Sequence, residues 1–272
     1  MLTLKDINII FNAGTPDENH ALKDINLKIN QGDFITVIGS NGAGKSTLYN
    51  IIAGTLSSSS GKIYLDDNGK ERDITDDKEY KRALYIGRIF QNPLLGTAGK
   101  MTLEDNMMIC SKKGFKSLRI SLNAQKRLFF KEQVKKLGMG LEDRLSDNVE
   151  LFSGGQRQAL TLLMAVMSKP KLLLLDEHTA ALDPANADAV MKLTMQFAKE
   201  YNLTVMMITH NMNHALEYGN RLLMMDSGRI LMDIGEAEKK QLTLDALVKK
   251  FREIKKQDLS NDQMLLQCDT AR

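Results

Sequence analysis

The sequence predicts an α/β fold, and three observations carry that prediction. Residues 33–38 (Asp-Phe-Ile-Thr-Val-Ile) are apolar and β-branched enough for a buried strand. They run into a glycine-rich turn, Gly39-Ser40-Asn41-Gly42-Ala43-Gly44-Lys45-Ser46-Thr47, and then into helical spacing over residues 46–54, with Leu48, Ile51 and Ile52 recurring on one face. Further on, the apolar runs 172–175 and 204–208 read as buried strands on either side of a helical stretch, 184–201, which Asp183-Pro184 starts. Strands alternating with helices make an α/β core.

The other elements follow in chain order. Residues 2–10 and 21–29 read as two strands joined by a polar turn around residues 14–19, and 61–75 as a short strand and a polar Asp-Asp-Asn-Gly loop. Residues 86–90 form a strand-like run ending at Gln91. Helical stretches are expected at 103–110 and 122–137, and again over the Ala-rich, apolar 156–167. After Gly235, residues 242–256 read as an amphipathic basic helix. The chain carries no internal repeat, no heptad run and no low-complexity tail.

Composition bounds the function. A chain of 272 residues, 43% hydrophobic, can bury a substantial core, here expected as one unit with two lobes. A net charge of +3 is too weak to argue for nucleic acid or for a membrane surface. Cys110 and Cys268 lack metal-like spacing and are expected to be thiols in a reducing compartment. No stretch approaches the ~18 apolar residues that cross a bilayer, and the first residues read as a strand rather than a signal peptide. Sixteen methionines and no Trp suggest an adaptable core, with pairs such as Met107-Met108 and Met206-Met207 serving as packing.

The glycine-rich turn fits G-x-x-x-x-G-K-[ST]. Gly39, Gly42 and Gly44 let the backbone turn tightly and aim successive N–H groups at phosphate oxygens, which the loop delivers to a helix N-terminus. Lys45 supplies a point charge to the β- and γ-phosphates, and the Ser46 hydroxyl is placed to ligate Mg²⁺. The expected ligand is therefore a nucleoside triphosphate. Asp176 ends its strand at the carboxyl edge, where α/β sheets place ligand-binding residues, and is a direct or second-sphere partner for the Mg²⁺. Glu177, one residue on, points elsewhere, towards an attacking water. Without the phosphate loop, Asp176-Glu177 would read as a solvated pair at a strand end.

Leu151-Phe152-Ser153-Gly154-Gly155-Gln156, followed by Arg157-Gln158-Ala159, resembles the signature motif of ABC (ATP-binding cassette) ATPases. The resemblance covers about residues 1–235 in the order that family requires. It implies a P-loop NTPase (RecA-like) core with an antiparallel β-subdomain and an inserted helical subdomain at about 92–165, followed by a C-terminal helical extension, 236–272. Gln91 matches the family's Q-loop, which implies a catalytic role and a place on the Mg²⁺. Ala180-Ala181-Leu182-Asp183 matches the D-loop and Thr209-His210 the switch histidine. Phe11 falls where the family stacks an aromatic ring on adenine. The implied nucleotide contacts are thus Phe11, the loop from Gly39 to Thr47, Ser153, Gly154, Gly155, Gln156 and Asp183; Glu177, His210 and Gln91 are the implied catalytic set.

That set implies a shared site. Ser153 and Gly155, at a helix start, offer a hydroxyl and a bare N–H to a phosphate whose near side the phosphate loop already occupies. They would therefore act on the γ-phosphate bound by a second copy in a head-to-tail dimer, glued by ATP and released by hydrolysis. Three departures from the family pattern are visible: His178 stands where many relatives have Pro, Phe11 where Tyr is common, and Phe152 is inserted ahead of the signature serine. His178 is expected on the surface or in packing, and Phe152 under the helix start.

Soluble relatives that act on ribosomes usually carry two cassettes per chain, and DNA-repair types split theirs with a long coiled coil. One uninterrupted cassette favours the energising subunit of a membrane transporter at the cytoplasmic face of the membrane, with a separate permease and no nucleic acid. The absence of a fused membrane domain leans towards an importer; a soluble ABC ATPase or a two-component exporter is the alternative. Residues 88–97, 101–106 and 176–184 look like a prokaryotic subgroup that pairs with a branched-chain-amino-acid-like permease and a substrate-binding lipoprotein, and is linked to uptake of tryptophan or tyrosine.

Overall fold

The computed structural model describes residues 1–67, 69–111 and 122–253. The chain opens on β1 (Leu2–Phe11) and β2 (Asn19–Ile29), followed by β3 (Phe34–Gly39) and α1 (Lys45–Ala53). A hairpin, β4 (Ser60–Asp67) with β5 (Lys70–Asp73), leads to one helical turn, α2 (Glu79–Arg82), and to β6 (Ile86–Ile89). A 3-10 turn, Pro93–Gly96, precedes α3 (Leu103–Cys110) and α4 (Ala124–Lys135), and a second, Val149–Leu151, precedes α5 (Gly154–Met167). Then come β7 (Leu172–Asp176), α6 (Pro184–Glu200), β8 (Thr204–Ile208), α7 (Met212–Glu217), the hairpin β9 (Arg221–Asp226) with β10 (Arg229–Ile234), and α8 (Glu236–Lys239). Residues 244–253 are helical; the last three residues of the expected 242–256 helix lie outside the described residues.

Two sheets result. The smaller is antiparallel, in the order β2-β1-β4-β5, and the larger runs β10-β9-β3-β8-β7-β6, parallel except for the β9–β10 hairpin. The central strands of the larger sheet, β3, β7 and β8, are apolar on both faces because both are covered. Leu172 and Leu174 pack with β1, β2 and α1, whereas Leu173 and Leu175 pack with α3, α4, α5 and α6; Met206 and Met207 divide in the same way. The two-residue period of a strand thus sends alternate side chains into two separate cores. A third, smaller cluster joins Ile38, Leu222 and Met224 to Leu247 and Phe251 of the C-terminal helix.

Helix starts follow local chemistry. Thr102, Asn123, Ser153 and Asp183 each accept a backbone N–H at the head of α3, α4, α5 and α6. Some elements had no sequence signal. β5 (Lys-Glu-Arg-Asp) is exposed throughout, so it carries no apolar alternation and the expected loop is an edge strand. Leu222–Met225 in β9 is buried on both faces, and so short an apolar run does not distinguish strand from helix. Cys110 is half-buried with no disulfide among the described residues, and Cys268 lies outside them.

Candidate active site

Three parallel strands, β3, β7 and β8, end on one edge of the larger sheet, so the loops that follow them converge. The loop after β3 needs its glycines. Gly42 and Gly44 lie at φ 79° and 94°, in the left-handed region, and a Cβ on Gly39 would stand 2.1 Å from the Met225 carbonyl oxygen. The loop ends in Gly44, which offers α1 no side-chain cap, and the first turn of α1 carries no acidic residue. The leading N–H groups of α1 are therefore left for an anion.

A cavity of about 530 Å³ opens over this loop, lined by Asn41, Gly42, Ala43, Gly44, Lys45, Ser46 and Thr47, by Phe11 at the end of β1, and by Glu177 and His210. Lys45 is 6% exposed, and its Nζ donates to the Gly39 and Ser40 carbonyls at 2.9 Å each. Burial pulls its pKa below the ordinary lysine value, against the opposing charges of Glu177 and Asp176. His210, half exposed, brings its Nε2 to 2.5 Å from Glu177 Oε1. Glu177 itself is held at φ 47°, an uncommon conformation for a non-glycine residue, with its N–H donating to the Ile208 carbonyl at 3.2 Å. Asp176 closes β7 and is paired with Arg88 at 3.3 Å.

Other expected residues lie elsewhere. Gly39 and Ser40 line the far side of the loop, in a cavity of about 320 Å³ shared with Thr209, His210 and Phe251; the Ser40 hydroxyl donates to Asp226. Ser153 and Gln156 form a reciprocal capping box at the head of α5. Gly154 and Gly155 lie against the segment after Glu177: a Cβ on Gly155 would meet Asn186 Oδ1 at 2.6 Å, and one on Gly154 would stand 3.6 Å from Leu182. Asp183 accepts from the side chain and N–H of Asn186, which lower its pKa. Ser153 to Gln156 and Asp183 thus sit on neighbouring helix starts that do not line the phosphate cavity. Gln91 is exposed just after β6 and also lies outside that lining.

His178 is buried, not superficial. Thr194 gives its hydroxyl proton to the Val190 carbonyl at 2.8 Å, so the 3.1 Å contact requires His178 Nε2–H to donate to Thr194. Phe152 is buried ahead of α5 with the Arg144 guanidinium over its ring at 4.6 Å. Sequence reasoning missed Asn19, His20, Ala21, Lys23, Ser227 and Gly228, which complete the cavity wall. Ser227-Gly228 is the β9–β10 turn, which becomes visible once Leu222–Met225 is known to be a strand.

The ABC transporter family profile matches residues 22–180. A tyrosine transport ATP-binding protein from Clostridioides difficile strain R20291 is 40% identical over 256 residues, covering 92% of this chain and 98% of that protein. The chain belongs to the ABC transporter ATPase family. As an ABC ATPase it has the P-loop NTPase fold expected from the sequence, and it binds and hydrolyses ATP as a transporter's ATP-binding subunit. Its fold is similar to that of cbiO1 from Clostridium perfringens, part of the ABC transporter complex cbiONQ (TM-score 0.72, 27% identity, 92% of this chain and 93% of that one). It is also similar to a dimeric ATP-binding cassette in a post-hydrolysis state bound to ADP and Pi (TM-score 0.68, 27% identity, 87% and 99% covered). Among the described residues no helix is long and apolar enough to cross a membrane.

Proposed function

We propose that this ABC ATPase drives import of an amino acid, an aromatic one such as tyrosine or tryptophan, through separate permease subunits at the cytoplasmic face of the membrane. An extracytoplasmic solute-binding protein would feed that permease. The observation that carries this reading is the 40% identity to a tyrosine transport ATP-binding protein along 92% of the chain.

The geometry supports a composite site. Phe11 would stack on the adenine, Gly39 to Thr47 would cradle the phosphates, and Lys45 would neutralise them. Glu177 would take the proton of the attacking water and His210, 2.5 Å away, would hold both in line. Ser153 to Gln156 and Asp183 do not line their own chain's phosphate cavity, so the nucleotide they would fit is one bound by a second copy arranged head-to-tail. Mg²⁺ suits the donor set: Ser46 and Asp176 are hard oxygen ligands, with Gln91 able to join on lobe closure. Among the described residues no group of three acidic, His or Cys side chains could hold a metal, so most ligands would be phosphate and water oxygens. When bound, Mg²⁺ would neutralise charge on the β- and γ-phosphates.

Residues 1–235 would form the cassette, with 92–165 as the helical lobe and 236–272 as the extension. Leu94, Leu95 and Met101 stay exposed between β6 and α3, Leu95 at 65%. An apolar patch there fits a helix from the permease. The test is co-expression with a candidate permease of the branched-chain-amino-acid type. Leu95→Asp should reduce co-purification while ATP binding by the isolated subunit is retained, and the reconstituted wild-type complex should hydrolyse ATP faster when tyrosine- or tryptophan-loaded binding protein is added. Turnover stimulated by ribosomes or DNA, and by no amino acid, would overturn the reading.

A further inference from the structure

The Arg88 side chain is only 14% exposed, and it sits in the middle of β6, a strand that otherwise supplies apolar packing. Its two terminal nitrogens reach different elements: Nη1 donates to Asn50 Oδ1 on α1 at 2.7 Å, and Nη2 lies 3.3 Å from Asp176 Oδ2 at the end of β7. The guanidinium carbon stands 4.7 Å from the centre of the Phe90 ring, one residue before Gln91. Its Nε is buried without a partner. On the other side, Gln158 of α5 donates to the Phe90 carbonyl at 3.4 Å and leaves its own Oε1 buried and unpaired.

Stability does not account for this arrangement. Burying a guanidinium with one N–H unsatisfied is costly, and an apolar side chain of similar volume usually serves a core as well or better. What only a planar, permanently charged fork supplies is fixed geometry to two acceptors at once. Those acceptors belong to the helix that starts at Lys45 and to the carboxylate beside Glu177, and the stacked ring belongs to the segment that leads to Gln91. A positive charge here also offsets the repulsion between the neighbouring Asp176 and Glu177 carboxylates.

We propose that Arg88 is a positioning residue for ATP hydrolysis: it fixes the orientation of the Asp176 carboxylate for a divalent cation and ties it, through Phe90, to the strand end that carries Gln91. The proposal rests on the reading of Asp176 as the cation's carboxylate. Partners of this kind, one step behind a metal ligand, typically change metal affinity or activity by about 10-fold or more when removed.

The test uses the full chain carrying Arg88→Met or Arg88→Lys. A fluorescent ATP analogue is titrated with Mg²⁺ and again with EDTA, hydrolysis is measured against Mg²⁺ concentration, and thermal unfolding is followed without nucleotide. Arg88→Met should raise the Mg²⁺ needed for half-maximal hydrolysis and lower kcat, each by about 10-fold, while KM for ATP, binding in EDTA and the unfolding midpoint stay near wild type. Arg88→Lys should not restore either value, because a point charge lacks the fork. Wild-type Mg²⁺ dependence and kcat in Arg88→Met would overturn the proposal. So would a loss of nucleotide affinity equal with and without Mg²⁺ and accompanied by a lower unfolding midpoint, which is the signature of a packing residue. Asp176→Asn separates the two readings. If it keeps the wild-type Mg²⁺ requirement, the cation assignment itself fails; if it loses hydrolysis while Arg88→Met changes nothing, only the role of Arg88 fails.

Discussion

Glu177 combines three constraints in one residue: a left-handed backbone, a neighbour that closes β7, and a side chain 2.5 Å from His210. Strain of that kind persists where the surroundings fix it, and here it aims a carboxylate at the phosphate cavity. Glu177→Gln keeps the shape and removes the proposed base. Turnover should fall by about 10² or more while ATP binding remains, and size-exclusion chromatography with ATP and Mg²⁺ should show a dimer accumulating. Steady-state hydrolysis near wild type would remove Glu177 from that role. One residue on, His178 makes a prediction about pH. Burial, helped by the nearby His214, lowers its pKa from 6.5 to about 4. As pH falls the unfolded chain takes up this proton first, so stability is lost between 6.5 and 4, by about 2 kcal/mol at pH 5. Chemical denaturation at pH 7 and pH 5 should show a smaller difference in His178→Leu than in wild type. Equal differences would mean that other groups dominate acid sensitivity.

At the scale of elements, the helix that carries the phosphate loop is held at its far end by Arg82. This buried side chain donates to the carbonyls of Ile51 and Ile52 in α1, of Ile74 and Thr75 beyond β5, and of Asp77. One fork thus adds charged donors to carbonyls near the end of α1, where Ile51 also accepts from the Gly54 N–H, and fastens them to the segment after β5. Arg82→Met should strip these buried carbonyls of a charged donor and cost on the order of 3 kcal/mol of stability; Arg82→Lys should recover little of it, since an ammonium does not span five acceptors. Urea denaturation reads both, and a loss below about 1 kcal/mol in each would show that water replaces the guanidinium. No periodicity marks Arg82 in the sequence. In contrast, the start of α6 was legible from Asp183-Pro184, which act locally, whereas α5 begins at Gly154, two residues ahead of the expected 156–167, on a Ser153–Gln156 capping box.

For the whole molecule the deciding feature is that the phosphate loop and Ser153 to Gln156 do not line one cavity. Ser153→Arg should bind ATP normally at the phosphate loop yet fail to dimerise, because the cation would fill the cradle proposed for the partner's γ-phosphate. Mixed with Lys45→Ala subunits it should give at most one intact site per dimer. Normal hydrolysis and dimerisation by Ser153→Arg would refute the shared site. The glycine loop and the helix starts were legible in short stretches of sequence, because each depends on neighbours a few residues away; the Asp176-Glu177 pair took its reading from the phosphate loop, distant in the sequence. Burial and long-range pairing were not. The pairing of Arg88 with Asp176, 88 residues apart, the placement of Phe11 over the phosphate loop, the burial of His178 and the strand state of Lys70–Asp73 all depend on sheet register and on which faces become covered. Only the packing of two sheets and the helices around them decides these, because a side chain's partner across a sheet leaves no mark on its own sequence neighbours.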